Sequence, residues 1–200
     1  MVTHIAIVLD RSGSMGFIKD EVVGAFNSFI ESLKLIKGTK KISLNQFDHE
    51  FEKLFIELPE NKIPELIVGK NYIPRGTTAL YDAIGRTIID LGKRKNVIVC
   101  IITDGAENAS HEFSYDNVKK LIDIKEQSGW RFEFLSSDLK AINLGNSLGI
   151  GTTHYSSDAV GYRSMGSTLT STVADYMKQN NQKWPEEDFD IPAEQESPHD

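Results

Sequence analysis

Residues 4–14 read His4-Ile5-Ala6-Ile7-Val8-Leu9-Asp10-Arg11-Ser12-Gly13-Ser14, and residues 97–105 read Val97-Ile98-Val99-Cys100-Ile101-Ile102-Thr103-Asp104-Gly105. Each opens as an apolar, β-branched run without alternation, the pattern of a strand covered on both faces. Each ends in an aspartate that leads into a glycine-bearing loop. Two buried strands that finish alike, with amphipathic segments between them, define an α/β chain with a mainly parallel sheet.

The stretches around them complete the pattern. Val22, Phe26, Phe29, Ile30, Leu33 and Ile36 are spaced for one helical face, with Asp20 and Glu21 at its positive end and Gly38 as its stop. Lys41 to Phe47 and Phe51 to Glu57 predict two strands joined by Asp48-His49-Glu50, a hairpin that makes the second an antiparallel edge. Pro59, Pro64 and Pro74 break residues 58–74 into an irregular connection. Leu80, Ala83, Ile84, Thr87, Ile88 and Leu91 form a second helical stripe. Ser114 caps a third helix, which Ser128-Gly129 closes. Trp130 to Leu135 is a strand, Asp138 to Leu148 a short helix, Thr152 to Tyr155 a last strand, and Val160 to Met177 a terminal helix. The expected architecture is a Rossmann-like, doubly wound sheet with one antiparallel edge strand and helices on both faces.

Composition narrows the class. Two hundred residues, 40% of them apolar, suffice for one domain without covalent staples. A single cysteine, Cys100, excludes a disulfide framework and a cysteine-based zinc site. The longest apolar run, Val97 to Ile102, is far short of the ~20 residues that span a bilayer. The start carries no basic leader, so the expected compartment is the cytosol. Of a net charge of −7, all but one unit sits in residues 181–200, where seven acidic residues face one lysine. Residues 1–180 are therefore a nearly neutral domain with no basic excess for a phosphate backbone, and 181–200 read as an acidic, disordered tail. Neither nucleic acid nor membrane is an expected partner.

The two strand ends carry the chemistry. Asp10, Ser12 and Ser14 offer three hard oxygens at alternate positions. Thr103-Asp104-Gly105 offers another carboxylate, and Arg75-Gly76-Thr77-Thr78 leads into a helix between them. Open α/β sheets bind ligands beyond the carboxyl ends of their strands, where strand order reverses. An oxygen set without histidine or cysteine suits a hard divalent cation, magnesium first, then manganese, with calcium less favoured. Two carboxylates only neutralise such an ion, and five protein groups leave its shell open to another oxygen. A nucleophilic serine is disfavoured, because position 12 is serine where a nucleophile elbow needs glycine. An aspartyl-phosphatase reading is weakened because Ser12 stands where a second aspartate is needed. His49 and His111 read as solvated loop residues, and Cys100 as a small buried hydrophobe.

Asp10-x-Ser12-x-Ser14, Gly76-x-Thr78 and Ile102-Thr103-Asp104-Gly105, in that order, resemble the von Willebrand factor A (VWA) family over about residues 3–178. The resemblance implies that these five positions form a metal-ion-dependent adhesion site. Ser12, Ser14 and Thr78 would be direct or switchable ligands, with Asp10 and Asp104 acting partly through water. Thr77 is the lesser alternative to Thr78. The phrases Ala79-Leu80-Tyr81-Asp82-Ala83-Ile84 and Asp104-Gly105-Ala106-Glu107-Asn108 resemble small intracellular members of bacteria and their viruses.

The function expected is a non-catalytic, cation-dependent protein-binding module in which a partner's Asp or Glu completes the metal shell. Arg11, Met15, Arg75, Thr77, Glu107 and Asn108 are the candidate rim. The resemblance implies partners such as AAA+ ATPases, stress-response systems, or phage and host-defence proteins. The rivals are a metal-assisted phosphohydrolase and a structural protein with a vestigial site. The tail adds one expectation: Glu186, Glu187, Asp188 or Asp190 occupies the open metal position, within one chain or between copies.

Overall fold

The computed structural model describes residues 1–183. Its centre is β1 (Val2–Asp10), a strand without a polar face because helices cover it on both sides. The chain then makes a 3-10 turn (Gly13–Phe17) and enters helix α1 (Lys19–Leu33). Strands β2 (Thr39–Phe47) and β3 (Phe51–Leu58) follow. Helix α2 (Leu80–Leu91) leads to β4 (Val97–Ile102) and α3 (Tyr115–Gln127). Strand β5 (Arg131–Ser136), helix α4 (Leu139–Leu148), strand β6 (Gly151–His154) and helix α5 (Ala159–Lys183) complete the described residues.

The six strands run in the order β3-β2-β1-β4-β5-β6. Every neighbouring pair is parallel except β2 with β3. The chain moves from β1 outward to β2 and β3, then returns to the other side of β1 for β4. Strand order therefore reverses between β1 and β4, the place where such sheets leave a crevice beyond their carboxyl ends.

Alternation within the central strands feeds two cores. Ile5, Ile7, Leu9, Cys100 and Ile102 face one side and pack with Phe26, Phe29 and Leu33 of α1 and Leu169, Val173 and Met177 of α5. Ala6, Val8, Val99 and Ile101 face the other, against Leu80, Ile84 and Ile88 of α2 and Val118 and Ile122 of α3. Burial on both faces explains the continuous apolar runs.

Two helix ends and the packing of one connection differ from the sequence reading. Helix α1 ends at Leu33, not near Gly38, because the backbone tightens: the N–H groups of Lys34, Leu35 and Ile36 donate to carbonyls three residues back. Ile36 still packs on the core from that turn. The connection 58–74 is irregular as expected, yet it sends Leu66 and Tyr72 fully into the core. Helix α5 continues to Lys183, so the expected division at residue 180 falls inside a helix. The acidic residues from Glu186 onward lie outside the described residues.

Candidate metal centre

Asp10 ends the central strand and is fully buried. One carboxylate oxygen accepts the Ser12 N–H at 2.5 Å, and the other accepts the Thr103 hydroxyl at 2.6 Å. Burial pushes its carboxyl up to about 6, a rise that the Thr103 and Ser12 hydrogen bonds only partly offset and that the Asp104 charge reinforces. The Tyr72 hydroxyl donates to the Asp10 carbonyl at 2.8 Å. A buried carboxylate held by two short bonds is fixed in direction and poorly solvated, so a cation is the counter-charge that its surroundings omit.

Two other loops are stitched to the one that follows Asp10. The Gly13 N–H donates to the Gly76 carbonyl at 3.1 Å and the Arg75 N–H to the Arg11 carbonyl at 2.7 Å. Gly76 has a φ of 66°, a left-handed turn that glycine adopts without cost. Thr78 and Asn108 exchange bonds: the Thr78 N–H donates to the Asn108 side chain at 2.9 Å, and the Asn108 N–H to the Thr78 carbonyl at 3.0 Å. The hydroxyl oxygens of Ser12 and Ser14 lie 3.2 Å apart.

These loops bring oxygens together beside Gly105. A Cβ at that glycine would lie 2.7 Å from Thr78 Oγ1, 3.1 Å from Asp10 Oδ2 and 3.3 Å from Ser12 Oγ. Three hard oxygens, two from the loop that begins at Asp10 and one from Thr78, thus surround one small space, kept open because residue 105 has no side chain. The donor set fits a hard divalent cation.

Asp104 is gripped from the other side. Its carboxylate accepts the Ser137 N–H at 2.8 Å, the Ser137 hydroxyl at 2.7 Å and the Tyr162 hydroxyl at 2.8 Å. The short loop between β5 and α4 and the first turns of α5 therefore set its orientation. Thr103, Ser137, Tyr72 and Tyr162 carry no signal in the sequence that marks them for this role. Tyr162 reads there as one member of a core stripe.

The six-strand order, the lone antiparallel edge and the Asp-x-Ser-x-Ser loop at the strand reversal now stand together. No family model matches the sequence, and no curated protein matches it. Solved structures do. A von Willebrand factor type A protein from Catenulispora acidiphila superposes with a TM-score of 0.61 at 11% identity, over 88% of this chain and 42% of that one. The chain has the VWA fold. The ArnB paralog VWA2 from Sulfolobus acidocaldarius superposes with a TM-score of 0.56 at 16% identity, over 86% of this chain and 44% of that one. Proximal thread matrix protein 1 from the mussel byssus, solved with a zinc-occupied MIDAS motif, gives 0.55 at 18% identity, over 88% and 48%. This chain spans less than half the length of each of the three.

On this VWA fold the expected rim divides between buried and exposed residues. Met15 is not on the surface: it is fully buried in the core beneath the 3-10 turn. Arg11 is buried as well, its guanidinium bonded to Asp48 at 3.0 Å and paired with Glu52. Glu107 accepts the N–H groups of Tyr81, Ala109 and Ser110, which fastens the loop after Gly105 to the start of α2. Asn108 is spent on Thr78. Arg75, Thr77 and Asn108 are exposed, and Arg75 is itself bonded to Asp48 at 2.9 Å and paired with Glu50. Thr78 is the threonine whose hydroxyl reaches the space beside Gly105, whereas Thr77 faces outward.

Asp48, His49 and Glu50, on the β2–β3 turn, form a second group whose possible ligand atoms lie within 4.8 Å of one another. Burial acts to raise the Asp48 carboxyl, but the Arg75 bond, the Glu50 N–H and the charges of Arg11 and Arg75 hold it below the usual carboxylate range. Two arginines already balance this aspartate. Among the described residues, no arginine or lysine is paired with Asp10.

Proposed function

We propose that this chain is a non-catalytic protein-binding module that acts through a divalent cation held by Asp10, Ser12, Ser14, Thr78 and Asp104. The observation that carries this reading is the convergence of Thr78 Oγ1, Asp10 Oδ2 and Ser12 Oγ on the space beside Gly105. The cation would supply a Lewis-acidic point on the surface, and a partner's Asp or Glu would complete its shell. Magnesium or manganese suits the all-oxygen set, and the similar mussel protein, solved with a zinc-occupied MIDAS motif, supports a divalent ion at this place.

A binding role is supported by how Asp10 is held. Both its oxygens are engaged and it is fully buried, the geometry of an oriented ligand rather than of an attacking nucleophile. Among the described residues, no helix is long and apolar enough to cross a membrane. The reading places the chain in the cytosol, with an acidic surface of another protein as its partner.

Two measurements test it. Calorimetric titration with manganese and magnesium should show binding to the wild type and none to Asp10→Ala/Asp104→Ala. An affinity pull-down should retain a protein in magnesium and release it in EDTA. Equal metal affinity in wild type and double variant would overturn the assignment.

A further inference from the structure

Four large apolar side chains stand exposed close in sequence to residues that build the candidate metal centre. Phe17, at the end of the 3-10 turn that begins after Ser12, is 94% exposed. Leu139, two residues after the Ser137 that holds Asp104, is 64% exposed. Val160, two residues before the Tyr162 that holds Asp104, is 65% exposed. Ile73, two residues before the Arg75 stitched to Arg11, is 51% exposed. All four sit on the pole where β1, β4, β5 and β6 end, each within a few residues of a contact to the site. Exposed apolar side chains at the pole that carries the polar centre offer a partner apolar contacts beside the cation.

The chain contains a segment of matching chemistry. Residues 184–191 read Trp184-Pro185-Glu186-Glu187-Asp188-Phe189-Asp190-Ile191, four carboxylates interleaved with two aromatic residues and an isoleucine. Resting on the metal-site reading above, we infer that this segment of one copy docks on the apolar and metal-bearing pole of a second copy. A carboxylate from Glu186 to Asp190 would meet the cation, while Trp184, Phe189 and Ile191 meet Phe17, Leu139 and Val160.

Reach decides between one chain and two. Helix α5 is tied at the metal pole by Tyr162 to Asp104 and at the opposite pole by the Tyr176 hydroxyl, which donates to the Gly129 carbonyl at 3.0 Å just before β5 begins. From Tyr162 to Lys183 the helix advances about 32 Å at 1.5 Å per residue. Asp190 is seven residues beyond Lys183, so even fully extended it recovers at most about 25 Å. Glu186, Glu187 and Asp188 recover less. The distance keeps these four acids from the site of their own chain, so the site they would meet is a neighbour's. A contact of pole to opposite end is heterologous, so it grows into open chains or closes into rings.

The test uses the full chain in magnesium and in EDTA, followed by sedimentation velocity, with metal uptake measured in parallel by calorimetry. The expected result is mass that grows with concentration in magnesium and falls to that of a single chain in EDTA. Phe17→Ser and, separately, Phe189→Ser/Ile191→Ser should each weaken association by on the order of tenfold. Mixing those two variants should restore a one-to-one pair, since each retains the half the other lacks. Metal uptake with single chains in magnesium would overturn this inference and leave the metal-site reading standing. Absence of metal uptake would overturn both, and association indifferent to EDTA or to both variants would also overturn the docking.

Discussion

Gly105→Ala puts the weight of the site on a single methyl group. The new Cβ would stand 2.7 Å from Thr78 Oγ1, 3.1 Å from Asp10 Oδ2 and 3.3 Å from Ser12 Oγ. The first is shorter than real Cβ contacts, so Thr78 Oγ1 must retreat by roughly half an ångström. Its backbone cannot follow, since Asn108 holds both the Thr78 N–H and its carbonyl. The hydroxyl must therefore rotate away from Asp10 and Ser12. Metal–oxygen distances tolerate only about 0.2 Å, so we expect affinity for manganese and magnesium to fall by on the order of a hundredfold, about 2.7 kcal/mol. Overpacking costs the fold about 1–3 kcal/mol, within the 5–15 kcal/mol of an ordinary domain, so the variant should remain folded. Gly24→Ala is the control. It lies exposed on α1 with nothing within 4 Å of its Cβ, and should gain stability while leaving metal affinity alone. Calorimetric titration of both variants, beside circular dichroism, is the assay. A folded Gly105→Ala chain with wild-type affinity would refute the convergence of oxygens at this point.

Other expectations follow from the same contacts. With its carboxyl at about 6 when folded against an ordinary 3.8, Asp10 binds its proton more tightly in the folded chain; metal-free stability should fall by about 3 kcal/mol as pH rises from below 4 to above 6. Urea midpoints in EDTA should show this slope in the wild type and lose it in Asp10→Asn; parallel profiles would contradict it. The Asp82 carboxylate accepts the N–H groups of His111, Glu112 and Phe113, so Asp82→Ala should cost about 3 kcal/mol in urea unfolding and Asp82→Asn less; a loss below about 1 kcal/mol would show the loop held by other means. Cys100 is fully buried in β4, and burial pushes its thiol up, so thiol reagents should label it only as fast as the chain unfolds; immediate labelling of native protein would break the strand assignment.

The sequence alone determined the elements that repeat a pattern. Val97 to Ile102 could be read as a buried strand because a strand covered on both faces has no polar side to interrupt it. The stripe from Leu80 to Leu91 could be read as a helix because its apolar residues recur at the helical period. Asp10, Ser12, Ser14, Thr78 and Asp104 stand out as candidate ligands through hard oxygens in loops beyond strand ends and through the resemblance to the VWA family, and the fold brings the Asp10, Ser12 and Thr78 oxygens together beside Gly105. Tertiary structure decided what depends on contacts distant in sequence. Met15 looks like a loop residue but fills the core, and Arg11 looks like a free rim cation until β2 and β3 bring Asp48 and Glu52 beside it. Tyr72 lies in a stretch broken by prolines, yet the fold carries its hydroxyl to the Asp10 carbonyl. Tyr162 belongs to a stripe whose period explains its burial but not its bond to Asp104. Periodicity is a local property of the chain and survives in the sequence. A partner for a buried charge comes from segments tens of residues away, and only the packed sheet brings them together.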